Sequence, residues 1–98
     1  MADLYRLSPL AVADLEDIYV YTLQTWSVEQ AITYHGSLLA TFEGLADRTR
    51  IGRTVDIYAD YLKYLTGSHV VYYRLSDGAV EIIRILHQSM DVGRHLKP

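Results

Sequence analysis

The sequence predicts an α+β domain in which a helical hairpin packs on a small twisted sheet. Three observations predict it. Two consecutive segments repeat apolar residues every three or four positions behind a serine cap, three later segments of strand-forming residues are joined by tight turns, and a short alternating segment precedes them all. With 98 residues, half of them hydrophobic, the chain has room for one core and one domain, residues 1–98.

"LYRLS", residues 4–8, alternates apolar and polar side chains and reads as a strand. Ser8-Pro9 ends it: serine is a good N-cap, and proline at the first helical position gives up an N–H that would be unpaired anyway. The first helix then carries Ala11, Leu15, Ile18 and Thr22 on one stripe and closes at Trp26, while Asp14, Glu16 and Asp17 sit near its start, where negative charge suits the helix dipole. "SVEQ", Ser27 to Gln30, has the capping-box pattern and opens a second helix with the stripe Ala31, Tyr34, Leu38, Phe42 and Leu45. So short a turn folds the helices back on each other.

Residues 47–56, "DRTRIGRTVD", lack a period and read as an exposed loop bearing Arg48, Arg50 and Arg53. Three strands follow, at about 60–65, 69–75 and 79–87, joined by Thr66-Gly67-Ser68 and Ser76-Asp77-Gly78 into an antiparallel meander. In the last strand Val80, Ile82 and Leu86 fall on one side and Ile83 and Ile85 on the other, so both faces are expected to be covered. Arg84 then stands on a largely apolar face, where its charge needs an acid or backbone carbonyls as partner.

Composition excludes several kinds of chemistry. There is no cysteine, hence no disulfide, thiolate nucleophile or sulfur-ligated zinc. No apolar run is long enough for a membrane helix, and the acids within the first 19 residues argue against a signal peptide, so a cytoplasmic protein is expected. A formal net charge of -3 argues against binding nucleic acid mainly through phosphates. Nine tyrosines suit either a small core or a protein interface.

Phosphate loops, nucleophile elbows and zinc-protease pairs are missing, and no cofactor is implied. His87, Asp91 and His95 are spaced four apart, as metal ligands on one helix would be, but Gly93 interrupts them and His87 ends a strand. The expectation is no metal, with His87 hydrogen-bonded at the strand end and His95 solvated. A ribonuclease would need a base, an acid and cations around a phosphate, for which His69, His87, Lys63, Arg74 and Arg84 are the available groups. Strand parity sets His69 against Arg74 and Arg84 against His87, on opposite faces, although a neighbouring strand could supply other partners.

Five segments in order carry a resemblance: "YRLSPLAVADLEDIYVYT" (5–22), "WSVEQAITY" (26–34), "IGR" (51–53), "GSHVVYYR" (67–74) and "VEIIRILHQSMDVGRHL" (80–96). In them the chain resembles the ParE branch of the RelE/ParE toxin superfamily over essentially its whole length. The resemblance implies the toxin of a type II toxin-antitoxin system, a binding inhibitor without catalytic residues that traps DNA gyrase, through its A subunit, in the cleaved-DNA state. It implies a ParD-like antitoxin as partner and a toxin-antitoxin hetero-oligomer. RelE-like members, similar in fold, instead cleave messenger RNA on the ribosome; where they carry arginine after the glycine turn this chain has His69, and only Lys63 remains of their cations on the preceding strand. An inactive antitoxin-binding homologue is the third alternative.

The ending resembles that of ParE toxins, and Arg84, His87, Met90 and Asp91 are carried over as signature positions, with Arg74 a further candidate for target contact. Their implied role is structural or partner-facing. Tyr19, Tyr21 and Tyr34 are candidates for anchoring an antitoxin segment that folds on binding. Thr49, where the family usually has proline, and Ala59-Asp60-Tyr61, in place of a basic pair, are departures.

Overall fold

The structure, a computed structural model, describes residues 4–96. In chain order it comprises β1 (Tyr5–Leu7), α1 (Pro9–Thr25), α2 (Val28–Ala46), β2 (Arg53–Val55), β3 (Tyr58–Thr66), β4 (His69–Ser76), β5 (Ala79–His87) and α3 (Val92–His95). One five-stranded sheet runs β1-β5-β4-β3-β2, with β1 parallel to β5 and every other pair antiparallel. The α+β class, the helical hairpin and the meander are as the sequence predicts.

Both helices start as their caps dictate. The Ser8 hydroxyl accepts from the Ala11 N–H at 3.1 Å, and the Ser27 hydroxyl accepts from the Gln30 N–H at 3.0 Å. Leu38, Phe42, Leu45 and Ala46 are buried together with Ala11, Ile18, Val71, Tyr73, Val80, Ile82 and Ile85, forming the core between the hairpin and one face of the sheet, and Ala31 is buried as well. The other face has its own cluster of Val55, Tyr61, Tyr72 and Leu86, closed by Leu96 at the end of α3. Leu96 is fully buried.

Four expectations are corrected. Residues 47–56 are not all loop: Arg53–Val55 form an edge strand on β3, with Val55 buried in the second cluster. So short a strand has no period of its own, because its order comes from β3 beside it. Nor is that segment a free basic cluster. Arg48 donates to the Leu45 carbonyl at 3.2 Å, and Arg50 lies across Gly44 to reach the buried Thr41 hydroxyl at 2.8 Å, leaving Arg53 on the edge strand.

The third correction concerns β5. Tyr72 pairs with Arg84 while its neighbour Tyr73 pairs with Ile82, so Ile83 is an extra residue that resets the alternation. Ile85 therefore joins Val80 and Ile82 on the helical side, and Leu86 lies on the other, where plain alternation would have put them the other way round. Last, the tail forms α3, with the Asp91 carboxylate accepting from the Gly93 N–H at 3.0 Å as its cap.

A single carboxylate joins these layers. Strand β1 ends at Leu7, so β5 has no strand partner on that side beyond Ile82. The first turns of α1 replace it: Ser8 donates through its N–H to the Ile82 carbonyl at 2.9 Å and through its hydroxyl to the Ile83 carbonyl at 2.7 Å. Asp14 accepts from the Ile85 N–H at 2.9 Å. The same carboxylate takes Arg84 in a two-pronged pair, at 2.8 Å from Nε and 2.9 Å from Nη2, while Arg84 Nη1 donates to the His95 carbonyl at 2.9 Å. Hydrogen bonding to Asp14 raises the guanidinium above its ordinary pKa against the opposing effect of burial.

The side chains of Arg84 and Asp14 are only 17% and 13% exposed, so removing either leaves the other as a nearly buried unpaired charge. Asp14→Ala is expected to cost about 3 kcal/mol in urea unfolding. Asp14→Asn, which keeps an acceptor for Ile85, should cost roughly half as much. Equal losses in the two variants would show that the backbone cap contributes nothing.

Candidate functional site

Two concavities flank the helical hairpin. The first is an apolar groove between α1 and α2, lined by Val12, Leu15, Tyr19 and Val20 from one helix and Ile32 and His35 from the other, with Glu16 at its side. Val12, Val20 and Ile32 are exposed although their own helices bury other faces. The rings of Tyr19 and His35 meet edge to face at 5.5 Å between centroids. His35 Nδ1 is buried without a hydrogen-bond partner, an unusual condition for a polar atom.

The second concavity is a cleft where the α1–α2 turn meets the start of β4 and the end of β5. Tyr21, Trp26 and Gln30 form its helical wall, and Ser68, His69 and His87 its sheet wall. Trp26 is 67% and Tyr21 64% exposed, leaving both rings available to a partner. Tyr34 ties the two walls together: its hydroxyl accepts from the Ser68 N–H at 3.1 Å and lies 2.7 Å from His69 Nδ1. Gly67 makes this approach possible, having φ of +59° and no Cβ to collide with the Tyr34 ring.

His69 and His87 face each other directly across β4 and β5. Next to them Gln88 donates to the Ser68 carbonyl at 2.9 Å, which makes 69 and 87 a non-hydrogen-bonded pair, the type whose side chains stand closest. Their rings meet edge to face at 5.4 Å. Burial, then the neighbouring His87, lowers the pKa of His69, and Asp14 opposes this weakly. His87 is exposed, and its Nδ1 lies 2.7 Å from the Ser89 hydroxyl and accepts the Ser89 N–H at 3.1 Å.

The cations named from the sequence lie elsewhere. Lys63 and Arg84 are both paired with Tyr72, on the face away from the hairpin, and Arg74 shares that face. Arg74 is exposed and bound to Glu81 at 2.7 Å, which raises its pKa. Met90 is exposed in the turn after β5, and Asp91 caps α3. His95 is half-buried on α3 rather than solvated, and its carbonyl serves Arg84. No group of three His, Asp, Glu or Cys side chains that could hold a metal occurs among the described residues.

The three tyrosines do not make one surface. Tyr19 lines the groove, whereas Tyr21 and Tyr34 line the cleft, and Tyr34 is half-buried and engaged by the sheet. Sequence reasoning missed the groove and Asp14. The groove had a signal in Val12, Val20 and Ile32, apolar residues off the stripes that form the core. Asp14 had one too: it falls between Ala11 and Ile18 on the stripe itself, where a solvated acid has no place.

Residues 5–92 match the model of the family described as "ParE toxin of type II toxin-antitoxin system, parDE". The chain is 48% identical over 93 residues to Toxin ParE1 of Caulobacter vibrioides, covering 94% of this chain and 96% of that protein. It is 42% identical over 98 residues to Toxin ParE1 of Mycobacterium tuberculosis, covering 98% of this chain and 100% of the other. Among solved structures, the chromosomal ParDE toxin-antitoxin system from P. aeruginosa superposes with a TM-score of 0.75 at 17% identity, over 88% of this chain and 96% of that one. The toxin-antitoxin complex RelBE2 from Mycobacterium tuberculosis superposes with 0.60 at 19% identity, over 90% of this chain and 100% of that one. The likeness to these structures lies in the fold, while sequence over nearly the full length establishes descent: the chain belongs to the ParE toxin family of type II toxin-antitoxin systems.

Proposed function

We propose that this toxin is a binding inhibitor of DNA gyrase, acting in the cytoplasm on the A subunit to stabilise the cleaved-DNA complex, and that a ParD-like antitoxin neutralises it. One observation carries the choice of a binding inhibitor over a nuclease. Lys63, Arg74 and Arg84 project from the face opposite His69 and His87, and Arg74 and Arg84 are already held by Glu81 and Asp14. Acid-base groups and charge-stabilising groups therefore do not converge on one phosphate, as transition-state stabilisation requires. A poison that works by surface complementarity needs no such convergence.

The α1–α2 groove is the favoured antitoxin site. A chain segment that folds into an amphipathic helix would cover Val12, Val20 and Ile32, burying apolar area that the toxin by itself leaves in water. Ribosome-dependent messenger cleavage is kept as a second reading because His69 and His87, which their positions on different strands left unrelated, are in ring contact beside Tyr34.

Purified toxin with gyrase, plasmid and ATP is expected to accumulate gyrase-linked linear DNA, and antitoxin to abolish it. Untouched supercoiling, together with messenger cleavage in a purified translation system that His87→Ala eliminates, would replace this reading with the second. For the antitoxin, Ile32→Asp or Val20→Asp is expected to weaken binding at least about thirtyfold, the scale of an interface hot spot. Tyr21→Ala, on the cleft side, should leave affinity unchanged in the same titration. A loss with Tyr21→Ala and none with Ile32→Asp would move the antitoxin to the cleft.

A further inference from the structure

We propose that His69 and His87 form a two-imidazole chelate for a divalent transition ion, open to exogenous ligands at its remaining positions. The backbone supplies the first condition. Residues 69 and 87 are a non-hydrogen-bonded antiparallel pair, so two side chains leave the sheet side by side on the helical face. Ring spacing supplies the second. Two imidazoles sharing a tetrahedral ion at ordinary zinc–nitrogen distances hold their centroids about 5 Å apart, and here they are 5.4 Å apart.

Support around the rings supplies the third condition. Metal-bound imidazoles characteristically give their second ring N–H to a fixed acceptor, which orients the ring and makes the ligating nitrogen more basic. Both rings have an oxygen at Nδ1: the Tyr34 hydroxyl at 2.7 Å from His69 and the Ser89 hydroxyl at 2.7 Å from His87. Nε2 is thereby left as the nitrogen for an ion in each ring. Loading His87 shifts its proton from Nε2 to Nδ1, where Ser89 Oγ accepts it and the 3.1 Å bond from the Ser89 N–H is given up. That exchange makes the site weaker than a preformed structural one.

Charge is permissive. The cations Lys63, Arg74 and Arg84 are on the other face. With two nitrogen ligands and no carboxylate or thiolate, the site suits copper, nickel and zinc and rejects magnesium and calcium. An ion there would fasten the start of β4 to the end of β5 and, through Tyr34, fasten both to α2.

The chain has four histidines, 35, 69, 87 and 95, so assignment is clean. Untagged full-length protein titrated calorimetrically with Zn²⁺, Ni²⁺ and Cu²⁺ at pH 7.5 is expected to bind one ion, copper most tightly, and magnesium not at all. His87→Ala and His69→Asn should each weaken binding at least tenfold, and His95→Ala should not. Because His69→Asn also disturbs the Tyr34 contact, wild-type protein is followed in parallel by NMR: the ring resonances of His69 and His87 should shift or broaden with Zn²⁺ while those of His35 and His95 stay put. Full binding by His87→Ala, several ions per chain, or perturbation centred on His35 or His95 would overturn the assignment.

Discussion

The Asp14 carboxylate is the interaction on which the arrangement of this toxin depends. A parallel strand of three residues cannot cover a partner of nine, so most of one side of β5 would be left with unpaired backbone groups. Helix α1 crosses there, and Ser8 and Asp14 complete the hydrogen bonding that β1 cannot. Having been brought there, Asp14 also neutralises Arg84, whose third contact holds the carbonyl at the end of α3. One acid thus connects the helical layer, the central sheet and the tail on the far face.

This arrangement divides the chemistry of the molecule between two faces. The far face holds Lys63, Arg74 and Arg84, the two arginines paired with Glu81 and Asp14, beside the cluster of Tyr61, Tyr72, Leu86 and Leu96. The hairpin side holds the imidazoles of His69 and His87 and the exposed Val12, Val20, Ile32, Tyr21 and Trp26. The sheet sets Lys63, Arg74 and Arg84 on one side and His69 and His87 on the other. That side carries an apolar groove along the hairpin, built on paired helices and so presented without much ordering cost, and an aromatic cleft at the hairpin tip, walled by the α1–α2 turn and the sheet.

Much of the fold was legible because the signals were local. Ser8-Pro9 and Ser27 announced the helix starts, the two stripes announced their buried sides, and Asp77-Gly78 placed the last hairpin. Strand β5 was read with its bounds correct and its facing half wrong, since a bulge at Ile83 depends on how β4 lies beside it. Edge strand β2 and helix α3 were invisible for a related reason: each is too short to form by itself and owes its order to the surface it packs on.

By itself the sequence determined the class of fold, the hairpin, the meander, the family, and the need of Arg84 for a partner. Only the tertiary structure decided which partner that was, because Asp14 and Arg84 are 70 residues apart and meet through the crossing of α1 over β5. It likewise decided that His69 and His87 share a cleft while Arg74 and Arg84 do not. Cap and period signals act within a few residues, whereas facing partners across strands follow from register. Register is set by the whole sheet and its irregularities, at Thr54/Val55 on β2 and opposite Tyr72/Tyr73 on β5, and no local stretch of the chain encodes it.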